Sequence, residues 1–374
     1  QYLNQVALKD YNAVISLDTA EHTIRAQSGA TFHQIIPYIK ARDYFIENYP
    51  NYFGITLGAC VSTAVHGSTC RLPFIACLIK EFRCYNRSTN EVELWSRGGT
   101  FNFFDWVFDK EWARMRVVLD VTLKIKPTTV RYSITSRNIS VRDIDDPNAL
   151  FAALSEPTGG EPAPATGNPM HDDGEEVKEA PAAPASPKAG IVDSVELRKN
   201  YSNSNRATLN VYRRAEEGRK IKADYIGNMW NLMEPLRIVW TARIVAYASW
   251  NFEWFFTPEG FKEFWHEVFI ENSHGFYFFK NLVRKNPMVP GFESNPYFNT
   301  ISMDISAMKT PGNRRRIIDL YNKYKPMYHV GKDYEFFVTP TMATKVSFNL
   351  PYPKTPTQEQ KYNPETKYAT EDQL

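Results

Sequence analysis

The sequence predicts an α+β fold, and three observations point there. Short runs of alternating apolar residues, separated by turn residues, recur over roughly the first 127 positions. Long helical periods are few, so the strands do not alternate regularly with helices as a doubly wound sheet requires. At 374 residues, 43% hydrophobic and 14% aromatic, the chain can bury a sizeable core and build two modest domains.

In chain order, Ala13–Leu17 and Thr23–Ala26 read as strands joined by a turn over Asp18 to Glu21. Phe32 to Lys40 reads as a helix, with Ile35, Ile36 and Ile39 at helical spacing and Thr31 as the N-cap. Tyr49 to Tyr52 is expected to be loop, because it carries Asn and Pro. Phe74 to Tyr85, Glu91 to Trp95 and Val117 to Ile125 read as further strands, the last closed by Pro127.

From 156 to 190 the sequence is dominated by Pro, Ala, Gly and acids. With little apolar surface to bury, this insert is expected to be a flexible linker. Arg237 to Ser249 is strand-like, and Trp250 to Phe256 continues in aromatic residues. Thr257-Pro258-Glu259 then starts a helix: a capping hydroxyl, Pro at the first helical position, an acid against the dipole. Phe261, Phe264, Trp265, Val268 and Phe269 form its core-facing stripe. A further helix is expected from Pro311 to about Lys325, and a polar, Pro-rich tail over 351–374.

The charge balance, 44 basic against 42 acidic residues, argues against a nucleic-acid binder, which needs a cationic surplus. No run approaches the ~18 apolar residues of a membrane span, which leaves only peripheral membrane association open. Cys60, Cys70, Cys77 and Cys84 are spaced by nine, six and six residues, without the close pairs of a zinc site. Free, buried thiols in a reducing, intracellular compartment are expected, and no metal. The chain opens on Gln1 rather than Met, so a leader or part of a domain is expected upstream.

Motif searches mostly fail: there is no G-x-G-x-x-G, P-loop, H-E-x-x-H, G-x-S-x-G or C-x-x-C. Ser68 lies near His66, but residues this close in sequence rarely present side chains to each other as nucleophile and base. The segment from Gly54 to Thr69 concentrates small residues, with Gly54, Gly58 and Gly67 among them. Two readings stay open on its chemistry alone. Its amides could approach a flat or anionic ligand, or its small side chains could simply permit close packing.

The order Ser16-Leu17-Asp18, Ile24 to Ala30, a helix, then Gly58-Ala59-Cys60-Val61-Ser62-Thr63-Ala64-Val65-His66-Gly67-Ser68 resembles the vanillyl-alcohol-oxidase (PCMH) type flavoproteins. The likeness is to the second half of their flavin-binding domain, and among them to the sugar-lactone branch: gulonolactone, galactonolactone and arabinonolactone oxidoreductases. Val117 to Pro127 is similar to the strand that closes that domain. Asn251 to Pro258 is similar to the Glu-Tyr-x-x-Pro strand of the cap domain.

The resemblance implies FAD as cofactor, lined by Gly58, Ala59, Ser62, Thr63, His66, Gly67, Ser68 and Val118, with Glu253 as the substrate-facing catalytic residue. It implies hydride transfer from a sugar lactone or polyol, and a partial FAD-binding domain over 1–130. A crossover over 131–155 and a cap domain over 191–350 would follow. Departures accompany it. Ala64 replaces a Gly, Trp112 to Arg116 replaces a Gly-x-Gly turn, and the first flavin-binding half is expected before residue 1. The family's C-terminal His-Trp-x-Lys has no counterpart in Tyr352 to Leu374. These departures raise a second expectation: a catalytically silent subunit of a larger assembly, with the mitochondrion as the expected location. Such a subunit would bind protein partners through aromatic surface and the C-terminal tail.

Overall fold

The structure, a computed structural model, describes residues 10–63, 65–70, 72, 74–96, 115–128, 131–155, 192–200, 205–215, 218, 248–271, 278–288, 297–329 and 332. Strands β1 (Val14–Asp18) and β2 (Thr23–Gln27) form the expected hairpin. Helix α1 (Phe32–Lys40) follows, with Thr31 and Gln34 making a reciprocal capping box. Its Phe32, Ile35, Ile36 and Ile39 are the buried positions, as the spacing predicts. A two-residue strand β3 (Tyr44–Phe45) and a short helix α2 (Leu57–Ser62) come next.

Strands β4 (Ile79–Asn86), β5 (Glu91–Ser96) and β6 (Arg116–Lys124) complete a five-stranded antiparallel sheet in the order β1-β2-β6-β4-β5. The strand expected from Phe74 starts only at Ile79, because Ile75–Leu78 is a 3-10 turn. A continuous apolar run carries no alternation, so it cannot distinguish these two conformations. The short β7 (Lys126–Pro127) pairs with β3 and ties this unit off.

The second unit begins with β8 (Arg131–Ser140) and α3 (Pro147–Ser155), so the segment expected as a crossover supplies a strand and a helix. Strands β9 (Val192–Asn200), β10 (Arg206–Ala215) and β11 (Ser249–Phe256) follow. Helix α4 (Pro258–Trp265) is capped by the Thr257 side chain, which accepts from Gly260 N–H, and runs on into a π-helical turn, His266–Glu271. Strands β12 (Phe278–Asn286) and β13 (Thr300–Met308), helix α5 (Pro311–Tyr324) and β14 (Met327–Tyr328) complete it. Its seven strands run in the order β14-β11-β13-β12-β9-β10-β8, every pair antiparallel.

The seven-stranded sheet has two unlike faces, because successive side chains alternate across it. Phe252, Trp254 and Phe256 oppose Ile305, Met303 and Ile301 on one face. There they meet Phe261, Phe264, Trp265 and Leu320 of the helices in one core. Each such fully buried side chain contributes about 1.5–3 kcal/mol. The other face is polar: Glu253 opposes Asp304, and Arg284 opposes Ser302. The buried clusters on that side join the two units, since Phe255, Tyr297, Phe298 and Tyr132 pack with Ile24, Phe82 and Val121 of the first sheet.

Most aromatic side chains among the described residues are interior or partly buried. Among the described residues, Tyr52 is the one aromatic among the exposed large hydrophobic side chains. No helix among them is long and apolar enough to cross a membrane. Cys60, Cys77 and Cys84 are free and buried, and Cys70 is free and partly buried. The insert over 156–190, Ala64, Trp112 to Arg114, Arg237 to Tyr247 and the tail over 351–374 lie outside the described residues.

Candidate functional site

Two parts of the first unit place the expected flavin residues. Helix α2 carries Gly58, Ala59 and Ser62, with Thr63 at its C-terminal end. Its start is pinned to the turn after β2: Leu57 N–H donates to Ala30 O at 2.8 Å and Gly58 N–H to Ser28 O at 2.9 Å. The Thr56 hydroxyl accepts from Ala59 N–H at 3.4 Å, and Cys60 N–H returns to Thr56 O at 3.0 Å. The first amides of α2 therefore bond to protein and not to a ligand.

The glycines answer the question left open by their chemistry. A Cβ on Gly58 would lie 2.9 Å from Ser28 Cβ, and one on Gly67 would lie 2.2 Å from Tyr49 O. Both are therefore required by close approach of the protein to itself. Gly67 N–H donates to Asn48 Oδ1 at 2.8 Å. Val118 is buried in β6, and its carbonyl accepts the Ser28 hydroxyl at 2.6 Å. Ala59, Ser62 and Thr63 keep partly exposed side chains.

His66, Gly67 and Ser68 run along the polar face of the second sheet, where Thr69 bridges to Ser194. His66 and Ser68 diverge, as expected of near neighbours. The Ser68 hydroxyl donates to Glu196 Oε1 at 2.6 Å, while His66 Nε2 meets Glu253 Oε1 at 2.8 Å. His66 and Glu253, 187 positions apart, are thus brought into direct contact.

Glu253 is 1% exposed and sits at the centre of a charge network. Arg284 Nη2 donates to its Oε1 at 2.5 Å, and Lys332 Nζ lies 2.9 Å from its Oε2. Like-charged residues directly opposite in a sheet repel, which would destabilise the Glu253–Asp304 pair. Lys332 removes the conflict, because its Nζ also lies 2.9 Å from Asp304 Oδ2. Arg284 Nη1 further donates to His66 O and Gly67 O, at 3.4 and 3.3 Å. His329 stacks on His66 and on Phe255, with ring centroids 6.1 Å apart in each case, and its backbone N–H donates to Glu253 O at 2.9 Å.

Burial alone would pull the Glu253 carboxyl up, but Lys332, His66 and Arg284 together hold it well below the usual carboxylate range. Burial opposes the Lys332 charge, and Asp304 and Glu253 outweigh it, raising the ammonium. Burial and the Arg284 charge lower His66 despite its contact with Glu253. A neutral ring with its proton on Nε2 satisfies that contact, and the Gly67 carbonyl facing Nδ1 at 3.0 Å takes its hydrogen bond from Arg284 instead. Burial pushes His329 down to about 3.

Sequence reasoning missed Arg284, Asp304, His329 and Lys332. A signal for the last two existed. The His-x-x-Lys spacing that was not found in Tyr352 to Leu374 is present upstream as His329-Val330-Gly331-Lys332, with Val in place of Trp. Asp304 was visible as a lone acid within the apolar strand Thr300–Met308. Of the bulky replacement before Val117, Met115 is exposed, while Arg116 pairs with Glu93 at 2.8 Å and lies over Trp95.

The polar face also carries unmet hydrogen-bonding capacity. Arg284 Nε and the Ser302 hydroxyl, neighbours in register, are buried without a hydrogen-bond partner. Unsatisfied donors of this kind are costly unless a bound polar group completes them. They fit a polar cofactor rim or substrate lying against this face. Among the described residues no group of His, Cys, Asp and Glu could hold a metal ion.

Comparison with known proteins bears on the fold and on the first part of the chain. Residues 5–94 match the family model described as FAD binding domain. Curated protein sequences give no match. Among solved structures the chain is similar to cholesterol oxidase from Brevibacterium sterolicum, at 12% identity and a TM-score of 0.50, over 84% of this chain and 69% of that one. It is also similar to wild-type Phl p 4.0202, a glucose dehydrogenase, at 10% identity and a TM-score of 0.56, over 87% of this chain and 69% of that one. At such identities the likeness is one of fold, and it does not single out the sugar-lactone branch. Over residues 5–94 the chain carries an FAD binding domain, with FAD as the cofactor, in an α+β fold of the PCMH type.

Proposed function

We propose that the protein is an FAD-dependent oxidoreductase acting on a hydroxylated substrate of the sugar-lactone or polyol class. One observation carries the reading. The His-Gly-Ser motif, the cap-domain glutamate and the His-x-x-Lys motif converge at His66, Glu253, His329 and Lys332, on the polar face between the two units. No packing need requires these distant segments to bring their polar residues together.

Bound FAD would accept a hydride from a carbon bearing a hydroxyl. Ala59, Ser62 and Thr63 offer it a partly exposed flank on α2. The chain's own groups orient and hold charge. Glu253, fixed by three partners, aims the His66 Nε2 proton, and Arg284 Nε with the Ser302 hydroxyl are the donors left for substrate oxygens. The sugar-lactone class rests on the sequence resemblance and on this polar lining.

The visible spectrum of the purified protein tests the reading. A yellow protein with flavin absorption bands, bleached under anaerobic conditions by a sugar lactone, is the expected result. A colourless protein whose spectrum and thermal stability do not respond to added FAD would overturn it and favour the silent-subunit role.

A further inference from the structure

Four strands end the two larger sheets: β1 and β5 in the first unit, β8 and β14 in the second. A strand at an edge offers unpaired N–H and C=O groups to any other strand, so natural edges are short, bent or polar. Three of the four follow that rule. Strand β14 has two residues, and β1 has five with a register shift between Val14 and Ser16. Strand β8 exposes Arg131, Thr135, Ser136, Arg137 and Asn138.

Strand β5 does not. Among the described residues it pairs only with β4, from Glu91 to Ser96 without a register shift, and it contains neither Lys nor Pro. Leu94 is 62% exposed and Val92 57%, the two highest values among the large hydrophobic side chains described. Both point away from the core, because their partners Arg83 and Tyr85 alternate with the buried Phe82 and Cys84. The apolar strip continues across the sheet, since Tyr85 also opposes Val117 on β6, and Met115 just before β6 is exposed. Successive residues of an antiparallel ladder turn their backbone groups to alternate sides. Every second residue of β5 therefore directs its N–H and C=O away from β4.

We infer that β5 pairs antiparallel with β5 of a second copy of this chain, about a two-fold axis through Leu94, joining two five-stranded sheets into one. An axis normal to the sheet makes the contact self-complementary and keeps both apolar strips on one face. The charges of the strand choose the register. Centred on Val92 the pairing would set Glu91 against Glu93, and centred on Glu93 it would set Glu93 against itself. Like charges directly opposed destabilise a sheet. Centred on Leu94, the pairing sets Leu94 against Leu94, Val92 against Ser96 and Glu93 against Trp95, and no acid meets an acid. The strand thus matches its own copy over Val92 to Ser96, which assigns the seam to a homodimer. The inference does not depend on the oxidoreductase reading.

Sedimentation velocity of the full chain tests the inference. The expected result is a monomer–dimer equilibrium over about 1–100 μM, because a seam of one strand and its strip lies at the small, transient end of protein interfaces. V92K/L94K changes two solvent-facing side chains, so it should keep the circular dichroism spectrum and weaken the dimer about ten-fold or more. Ile15→Lys, an exposed change on β1, should leave the dimer unaltered. Cross-linking reads the register. Opposed Cα atoms in a ladder lie about 4.5–5.5 Å apart, within disulfide reach, so mild oxidation of Leu94→Cys should trap a covalent dimer. The two Val92 positions would lie four residues apart along the seam, about 13–14 Å, so Val92→Cys should not cross-link. Three results would each overturn the assignment: a monomer throughout that range, an undiminished dimer in the folded V92K/L94K variant, or cross-linking of Val92→Cys as complete as that of Leu94→Cys. A monomer that instead sediments with phosphatidylcholine vesicles, and loses that in V92K/L94K, would give the strip to a lipid surface and likewise overturn it.

Discussion

Replacing Glu253 by Gln tests whether the buried network is held together by charge. In the native protein two carboxylates, Glu253 and Asp304, balance two permanent cations, Arg284 and Lys332, so the group is neutral while His66 is neutral. E253Q removes one negative charge and leaves a net positive charge in a site where Glu253 is 1% exposed. The amide can still accept from Arg284 or from Lys332, but its NH2 group must then face a cation at about the 2.9 Å now separating Glu253 from Lys332. Two unit charges 4 Å apart interact by about 4 kcal/mol at an effective dielectric of 20. Breaking one partner from a buried pair typically costs about 3–5 kcal/mol, and the same loss is expected here.

Urea unfolding followed by tryptophan fluorescence measures that loss, since Trp254 is a fully buried neighbour on the same strand. The double variant E253Q/K332M restores charge balance, leaving one carboxylate, Asp304, and one cation, Arg284, in the group. It should be less destabilised than the sum of the two single variants, by about 1–3 kcal/mol. An E253Q loss below about 1 kcal/mol, or strict additivity in the double variant, would refute the charge-balance reasoning.

Three further outcomes are expected. Gly67→Ala should destabilise the fold by about 1–3 kcal/mol and lower flavin content with it, because the new methyl would lie 2.2 Å from Tyr49 O; thermal denaturation reads the first and the visible spectrum the second. The depressed Glu253 carboxyl contributes stability that is complete above its ordinary value of 4.5 and is lost only as pH falls through its much lower folded value. A pH series of urea midpoints should therefore show wild type losing an acid-labile component that E253Q lacks. His329, folded at about 3 against an ordinary 6.5, stabilises fully above pH 6.5 and loses that contribution as pH falls toward 3; His329→Phe, which preserves the ring against Phe255, should flatten the profile across that window.

Local chemistry was legible in the sequence wherever a few adjacent residues decide the outcome. Thr31 with the spacing of Ile35, Ile36 and Ile39 announced α1, and Thr257-Pro258-Glu259 announced α4, because caps and single-face periods act over a few positions. Helix α2 was not legible. Its six residues are mostly small and lack an apolar period, and it is held by bonds to Ala30 and Ser28 that only the tertiary fold supplies. The candidate site was half legible: His66 and Glu253 were singled out, but their contact spans 187 positions. Arg284 stayed hidden for a related reason. Its role depends on the register of β12 against β13, which sets Arg284 beside Ser302 and is not encoded in Arg284's immediate neighbours.

The alternation along β11 also sets how the gene can change length. Eight consecutive residues of this strand pair with β13 without a bulge, Glu253 on one side and Trp254 on the other. Inserting or deleting a single codon within Ser249–Phe256 would turn the indole toward Arg284 and drive the carboxylate into the aromatic layer above Phe264. Point changes here would be graded in effect, whereas length changes would be all or none. The stretch should therefore behave as a fixed-length ruler, varying in residue type among descendants of this chain but never in count.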